Sequence, residues 1–357
     1  MNNGVRTFFG AIYIAYLSIS TAIGLSFTII PLFPLHFIFP VLFRSVCDFM
    51  MYSWICANVK LMGLFGTKLF VYSETDDLNQ PSLIIMNHKN RLDWFIYFLF
   101  SVYYQDPRKL KIALKNSLRS VPFFGWACQL GCYLFLRRDW EKDKIKLNKY
   151  LQYFKSLQWD QQLLIFCEGT NFCPESKEAS DKYAKMNDLP SYNFVLHPRV
   201  TGFKYLVRQF DGTHGPNIKC VYDVTVGYKG EAYGETDILT GNFTKEVHLH
   251  IERIDLSALP ESDEDLDIWL KKRWETKEKS LESFYQIGHF SNNPPLQPQP
   301  HRDLSSQIFI YNLVVVIGFY FLYTNRFVLV YFLLQTVACF LISKYIGFDN
   351  LIINHFA

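Results

Sequence analysis

The segment Asn-His-Lys-Asn-Arg-Leu-Asp, residues 87–93, places His88 five residues before Asp93. It follows an apolar, strand-like run at residues 83–86 and opens a helix-like run at 94–100. On one continuous helix five residues turn through about 140° in all, so the two side chains would diverge. They meet only if His88 sits on the turn before the helix and Asp93 in its first turn, where the helix dipole favours an acid. There the carboxylate can fix one imidazole tautomer and stabilise its protonated form. That is the arrangement of a general base.

Three further clusters follow apolar runs. Residues 166–172, Phe-Cys-Glu-Gly-Thr-Asn-Phe, come after the run 163–165. Gly169 allows a tight turn with exposed amides suited to an anion, and Thr170 adds a hydroxyl. Arg137 and Arg138 close the run 133–136, and guanidinium forks grip phosphate oxygens in pairs. Pro198 and Arg199 end the run 194–196. Singly, each of these is also compatible with an ordinary solvated loop.

The elements around them read as alternating strands and helices. Strand-like runs lie at 68–72, 83–86, 110–114, 133–136, 163–167, 194–196, 219–226 and 247–251. Residues 143–157 carry Leu147, Tyr150, Leu151 and Phe154 at helical spacing. A helix over 263–285 starts at Ser262 and Asp265 in capping-box spacing, with Leu266, Trp269, Leu270, Leu281 and Phe284 as its apolar stripe. This alternation predicts an α/β fold, a sheet flanked by helices.

Both ends of the chain are apolar. Residues 7–43 hold no Asp, Glu, Lys or Arg, and a bilayer span needs about 20 apolar residues. Pro31, Pro34 and Pro40 should end or bend this helix near Ile30. The run is too long for a secretory signal core, and no small-residue cleavage site follows. Residues 41–65 are apolar but carry Arg44, Asp48 and Lys60, which predicts a helix at the membrane surface or packed on the first. Residues 304–325 and 327–343 lack charge on either side of Arg326, which reads as a membrane hairpin. The expected organisation is 1–64 membrane-embedded helices, 65–290 catalytic α/β domain, 291–303 Pro-rich linker and 304–357 transmembrane hairpin.

The net charge of +3 is too small to argue for nucleic acid. The eight cysteines form no C-x-x-C pair, which fits reduced thiols in a cytosol-facing protein. Cys128 and Cys132 could share a helical face, and His248 and His250 a strand face, but neither pair has the further ligands a metal site needs. No metal or cofactor is expected.

The blocks in this order resemble the glycerophospholipid acyltransferase family. Its first motif, Asn-His followed by four residues and Asp, is matched by His88 and Asp93. Its second, an arginine after an apolar strand, is matched by Arg138. The third, Glu-Gly-Thr usually followed by Arg, is matched by Glu168, Gly169 and Thr170, and the fourth by Pro198. A further family pattern, K-x-x-L-x-x-x-P-x-x-G, is matched by Lys115, Leu118, Pro122 and Gly125. Residues 259–286 and 195–203, with the two C-terminal apolar segments, are similar to the lysocardiolipin/lysophosphatidylinositol acyltransferase branch.

The resemblance implies transfer of a fatty acyl group from acyl-CoA, as co-substrate, to a lysophospholipid hydroxyl at an endoplasmic reticulum membrane. The protein would be multi-pass, with its catalytic domain facing the cytosol. His88 would take the hydroxyl proton, Asp93 would stabilise the imidazolium, and Arg138, Glu168, Gly169 and Thr170 would hold the glycerol phosphate. Lys115, Pro198 and Arg199 complete the expected substrate-binding set. Because a carboxylate repels phosphate, Glu168 is expected to orient Arg138 or a hydroxyl. Lys109, Lys111, Lys115 and Arg119 form a basic stretch that could meet anionic head groups or CoA phosphates.

Asn171 departs from the family, standing where arginine usually follows Glu-Gly-Thr. A neutral amide cannot neutralise a phosphomonoester dianion. This favours a phosphodiester acceptor of the lysophosphatidylinositol or lysocardiolipin kind over lysophosphatidic acid, the alternative. A hydrolase reading lacks a G-x-S-x-G elbow, and Cys167 as an acyl-enzyme nucleophile lacks an evident base. A scaffold reading gives the polar blocks no role.

Overall fold

The computed structural model describes residues 3–210, 215–216, 218–298 and 304–355. Seven strands form one sheet: β1 (Lys68–Ser73), β2 (Ser82–Met86), β3 (Leu110–Lys115), β4 (Leu134–Leu136), β5 (Gln162–Ile165), β6 (Cys220–Lys229) and β7 (Glu246–Asp255). Their order is β1-β7-β6-β2-β5-β3-β4. The pairs from β6 through β2, β5 and β3 to β4 are parallel; β7 runs antiparallel to β6 and parallel to β1.

Parallel strands covered on both faces read as continuous apolar runs rather than alternating ones. In β2 every residue is buried. Leu83 and Ile85 join one apolar cluster with Leu163, Trp126, Leu151 and Trp274. Ile84 and Met86 join the opposite cluster with Leu164, Phe95 and Phe98. A one-residue slip in register would exchange those faces, so packing on both sides fixes the pairing.

Residues 194–196 do not form the expected strand. Glu278, from the helix Asp263–Ile287, accepts the amides of Phe194 at 2.9 Å and Val195 at 3.2 Å. A side-chain carboxylate thus takes hydrogen bonds that a neighbouring strand would have received.

Among the described residues three helices are long and apolar enough to cross a membrane by length and composition: Asn3–Phe37, Ser305–Thr324 and Arg326–Tyr345. In the first, regular α geometry stops at Gly24 and a π turn spans Leu25–Ile29. Pro31 follows and the chain tightens to 3-10 geometry at Phe33–Phe37. Proline has no amide to donate, so the hydrogen-bond ladder re-registers around it instead of ending at Ile30. Pro40 opens the next helix, Pro40–Leu64, in its first turn, where a missing amide costs nothing.

Of the charges on that second helix, Lys60 is exposed, but Arg44 and Asp48 are not at a surface. Arg44 and Asp48, one helical turn apart, are buried at 2.6 Å, and Lys111 of β3 reaches the same carboxylate oxygen at 2.7 Å. Arg44 also donates to the carbonyl of Leu130 at 2.8 Å. The helix is therefore pinned to the sheet by a three-residue ion cluster. Asn325 alone separates the two C-terminal helices, its side chain accepting from the amides of Phe327 and Val328. The Pro-rich linker, expected over residues 291–303, lies partly outside the described residues.

Candidate active site

His88, Lys115, Arg138 and the loop from Glu168 to Phe172 lie at or just beyond the carboxyl ends of β2, β3, β4 and β5, four parallel strands. In α/β sheets this edge is where ligands gather, because the connecting loops converge there. Asn87 ends β2 by joining the ladder through its side chain. Its amide nitrogen donates to the carbonyl of Val226 at 3.2 Å, and its oxygen accepts that residue's amide at 2.8 Å. The main chain is then free to turn at His88.

The turn brings His88 and Asp93 together. Nδ1 of His88 lies 2.9 Å from Oδ2 of Asp93, the first residue of the helix Asp93–Tyr104. Oδ2 also accepts the amide of Asn90 at 2.8 Å, and Oδ1 accepts the hydroxyl of Tyr228 from β6. Asn90 is in turn held by the carbonyls of Ala232 and Tyr233, each at 2.7 Å. His88 stays 17% exposed while Asp93 is fully buried, so the imidazole can reach substrate and the carboxylate cannot. With Nδ1–H donating to Asp93, Nε2 is left as the acceptor, the form a general base requires. The ring stacks on Phe166 at 4.0 Å.

Beside this dyad, the loop after β5 collects positive charge. Gly169, at φ +74°, accepts a hydrogen bond from Arg138 through its carbonyl. Nε of Arg199 lies 3.1 Å from where a Cβ on Gly169 would stand, so a larger residue would push the guanidinium away. Arg138 itself sits in the left-handed region at φ +64°, held there by Asp143, which accepts the amides of Arg137 at 2.8 Å and Arg138 at 2.9 Å. Burial and the nearby Arg199 charge both push the Arg138 pKa below its ordinary value. Two guanidinium groups held together, with no carboxylate at ion-pair distance among the described residues, make an anion site. Pro198 is placed by the amide of Arg199, which donates to the Cys167 carbonyl at 2.7 Å. Thr170 is half-buried in the same loop.

The sequence matches the Acyltransferase family over residues 69–229 and the Acyltransferase C-terminus family over residues 237–317. Lysocardiolipin acyltransferase 1 of Gallus gallus is 38% identical over 281 residues, covering 78% of this chain and 74% of that one. The chain belongs to the acyltransferase family. Lysophosphatidylinositol acyltransferase 10 of Caenorhabditis elegans is 32% identical, covering 68% of this chain and 63% of that one. The 1-acyl-sn-glycerol-3-phosphate acyltransferase delta of Homo sapiens is 27% identical, covering 87% and 83%.

Some expectations for this acyltransferase need correction. Glu168 does not orient Arg138. It is buried, and its Oε1 accepts the indole N–H of Trp274 at 3.1 Å. Burial lifts its pKa to about 8, against the pull of Trp274 and of the backbone amides of His88 and Leu196. At neutral pH the carboxyl is therefore mostly protonated, and the repulsion from phosphate that motivated the expectation largely vanishes.

The basic stretch also dissolves. Lys109 pairs with Asp160 at 3.5 Å, Lys111 is buried against Asp48, and Arg119 pairs with Asp349 at 2.6 Å. Lys115 alone of the four is exposed without a carboxylate at ion-pair distance, among the described residues. The glycine of the K-x-x-L-x-x-x-P-x-x-G pattern has a steric cause, since a Cβ on Gly125 would stand 2.5 Å from the carbonyls of Leu118 and Arg119.

Cys167 is buried, and its thiol pKa is pushed well above the ordinary range, which removes it as a nucleophile. His248 stacks between aromatic rings and bonds Glu246 at 2.9 Å; no metal-holding cluster occurs among the described residues.

Sequence reasoning missed Tyr228, Asn90, Trp274 and Lys89. The first and third come from distant β6 and the helix Asp263–Ile287, and no local spacing signals them. Asn90 and Lys89 lie inside the His88 motif, and their types alone could have flagged them.

Proposed function

We propose that this chain transfers a fatty acyl group from acyl-CoA to the free hydroxyl of a lysophospholipid. The observation that carries the reading is the contact between the half-buried imidazole of His88 and the fully buried carboxylate of Asp93, set beside a cationic loop. Nε2 of His88 takes the proton from the acceptor hydroxyl as its oxygen attacks the thioester carbon. Asp93 stabilises the imidazolium, which then returns the proton to the leaving CoA thiolate. Arg138 and Arg199 hold the glycerol phosphate at Gly169. No metal or further cofactor enters this scheme.

The acceptor is of the lysophosphatidylinositol or lysocardiolipin kind, supported by the neutral Asn171 beside the loop and by the names of the relatives. Lysophosphatidic acid is the second reading, supported by the delta relative. The three apolar helices fit a multi-pass enzyme of the endoplasmic reticulum with its site on the cytosolic face, where acyl-CoA is available. Asn242, half-buried, starts an Asn-Phe-Thr acceptor pattern that should stay unglycosylated in that orientation.

The test is turnover by the full chain in detergent micelles, with acyl-CoA and each acceptor, compared with His88→Ala. The variant should keep its melting temperature and lose nearly all turnover. An active His88→Ala enzyme would end the reading.

A further inference from the structure

Lys89 follows the general base directly, and its side chain is not spent on an ion pair. Its ammonium stands over the ring of Phe172, 4.2 Å from the centroid. The amide of Phe172 donates to the carbonyl of His88 at 2.7 Å, so the His88 turn and the loop after β5 are tied together at this point. Among the described residues no carboxylate lies within ion-pair distance of Lys89, Arg138 or Arg199. Burial pushes the ammonium's pKa below its ordinary value, while the charge of Asp93 pulls it back up. A half-buried cation on an aromatic face, lacking a partner, is held ready for an anion that arrives from outside.

The same loop has a gap in its charge. Asn171, immediately before Phe172, offers only a neutral amide. Lys89 reaches the loop one residue further on and brings a positive charge to it.

We propose that Lys89, seated on Phe172, is a specificity-determining residue that binds the head-group phosphate of the lipid acceptor. This rests on the acyltransferase reading above. The choice of acceptor over donor follows from chemistry. In a lysophospholipid the phosphate is bonded to the same glycerol as the hydroxyl that His88 must deprotonate. In acyl-CoA the phosphates stand a whole pantetheine arm away from the thioester. A cation on the residue next to the base is therefore matched to the acceptor. Its flexible stem carries a point charge rather than a fork, which suits a phosphodiester whose free oxygens are shared with Arg138 and Arg199.

The experiment measures initial rates of the full chain in micelles, varying acceptor and acyl-CoA separately, for wild type, Lys89→Met and Lys89→Arg. Acceptors are lysophosphatidylinositol and lysophosphatidic acid. Losing one charge-assisted hydrogen bond should raise the acceptor KM about tenfold or more in Lys89→Met, with the acyl-CoA KM unchanged. Lys89→Arg should recover most of the loss, which a packing defect would not allow. An increase confined to the acyl-CoA KM would assign the cation to CoA phosphates and overturn the proposal. A fall in kcat with both KM values unchanged would make it an oxyanion stabiliser and overturn it equally. If wild type acylates neither lipid, the underlying acyltransferase reading fails instead.

Discussion

The hydroxyl of Tyr228 donates to the Asp93 carboxylate oxygen that does not face His88. A residue of β6, separated from the helix start by 135 positions, thereby completes the dyad's hydrogen bonding. Asp93 has no contact with solvent, so each of its lone pairs must be satisfied within the protein. Tyr228→Phe leaves Oδ1 buried without that donor, at a cost of about 1–3 kcal/mol. We expect kcat to fall roughly 10- to 100-fold with acceptor and acyl-CoA KM nearly unchanged. Steady-state kinetics check this; a KM effect with normal kcat would place Tyr228 in binding instead.

Glu168 predicts a pH dependence of stability. Its pKa is about 8 in the fold and near 4.5 in the unfolded chain. The folded state therefore holds a proton that the unfolded state releases between those values. This favours folding fully below about pH 4.5, and the advantage is lost as pH rises toward 8. Because each pH unit carries ~1.4 kcal/mol, the loss amounts to a few kcal/mol. Thermal unfolding in micelles from pH 5 to 8 should decline for wild type more steeply than for Glu168→Gln. Parallel curves would count against the protonated carboxyl.

Asn171→Arg should shift acceptor preference. A third fork at the Gly169 loop, beside Arg138 and Arg199, adds charge where a phosphomonoester dianion gains more than a phosphodiester. The ratio of kcat/KM for lysophosphatidic acid over lysophosphatidylinositol should rise about tenfold. An unchanged ratio would remove the argument from this position.

Asp349 clamps the C-terminal end to the 3-10 turn Asn116–Ser120 and the helix Trp140–Ser156, which follow β3 and β4. Its carboxylate pairs with Arg119 at 2.6 Å and with Lys146 at 2.6 Å, and it is nearly inaccessible to solvent. Asp349→Asn leaves two half-buried cations against a neutral amide, costing about 3–5 kcal/mol by analogy with broken buried pairs. The melting temperature should drop, and limited proteolysis should release the segment after Tyr345 sooner than in wild type. Unchanged protection would show that apolar contacts of the helix Phe348–Asn354 suffice.

The elements legible in the sequence are those whose cause is local. The strands at Leu83, Leu163 and Val221 announce themselves because central parallel strands bury both faces and stay apolar throughout. The helix Asp263–Ile287 shows its start because Ser262 accepts the amide of Asp265 at 3.0 Å, three residues away. Charge was the poorer guide. Arg44, Asp48, Lys111 and Arg119 look like surface residues in the sequence, yet each is matched to a partner from another element. Residues 194–196 look like a strand, but a distant carboxylate claimed their amides.

By itself the chain of residues determined the alternation of strand and helix, the apolar ends, and the placing of His88 and Asp93 about a single turn, since all three depend on neighbours a few positions apart. Only the tertiary structure decided which cations, among the described residues, remain without counter-ions, that Glu168 is buried enough to keep its proton, and that Tyr228 completes the dyad. Those outcomes depend on burial and on pairings across the sheet, and both arise from contacts between residues that the linear order keeps far apart.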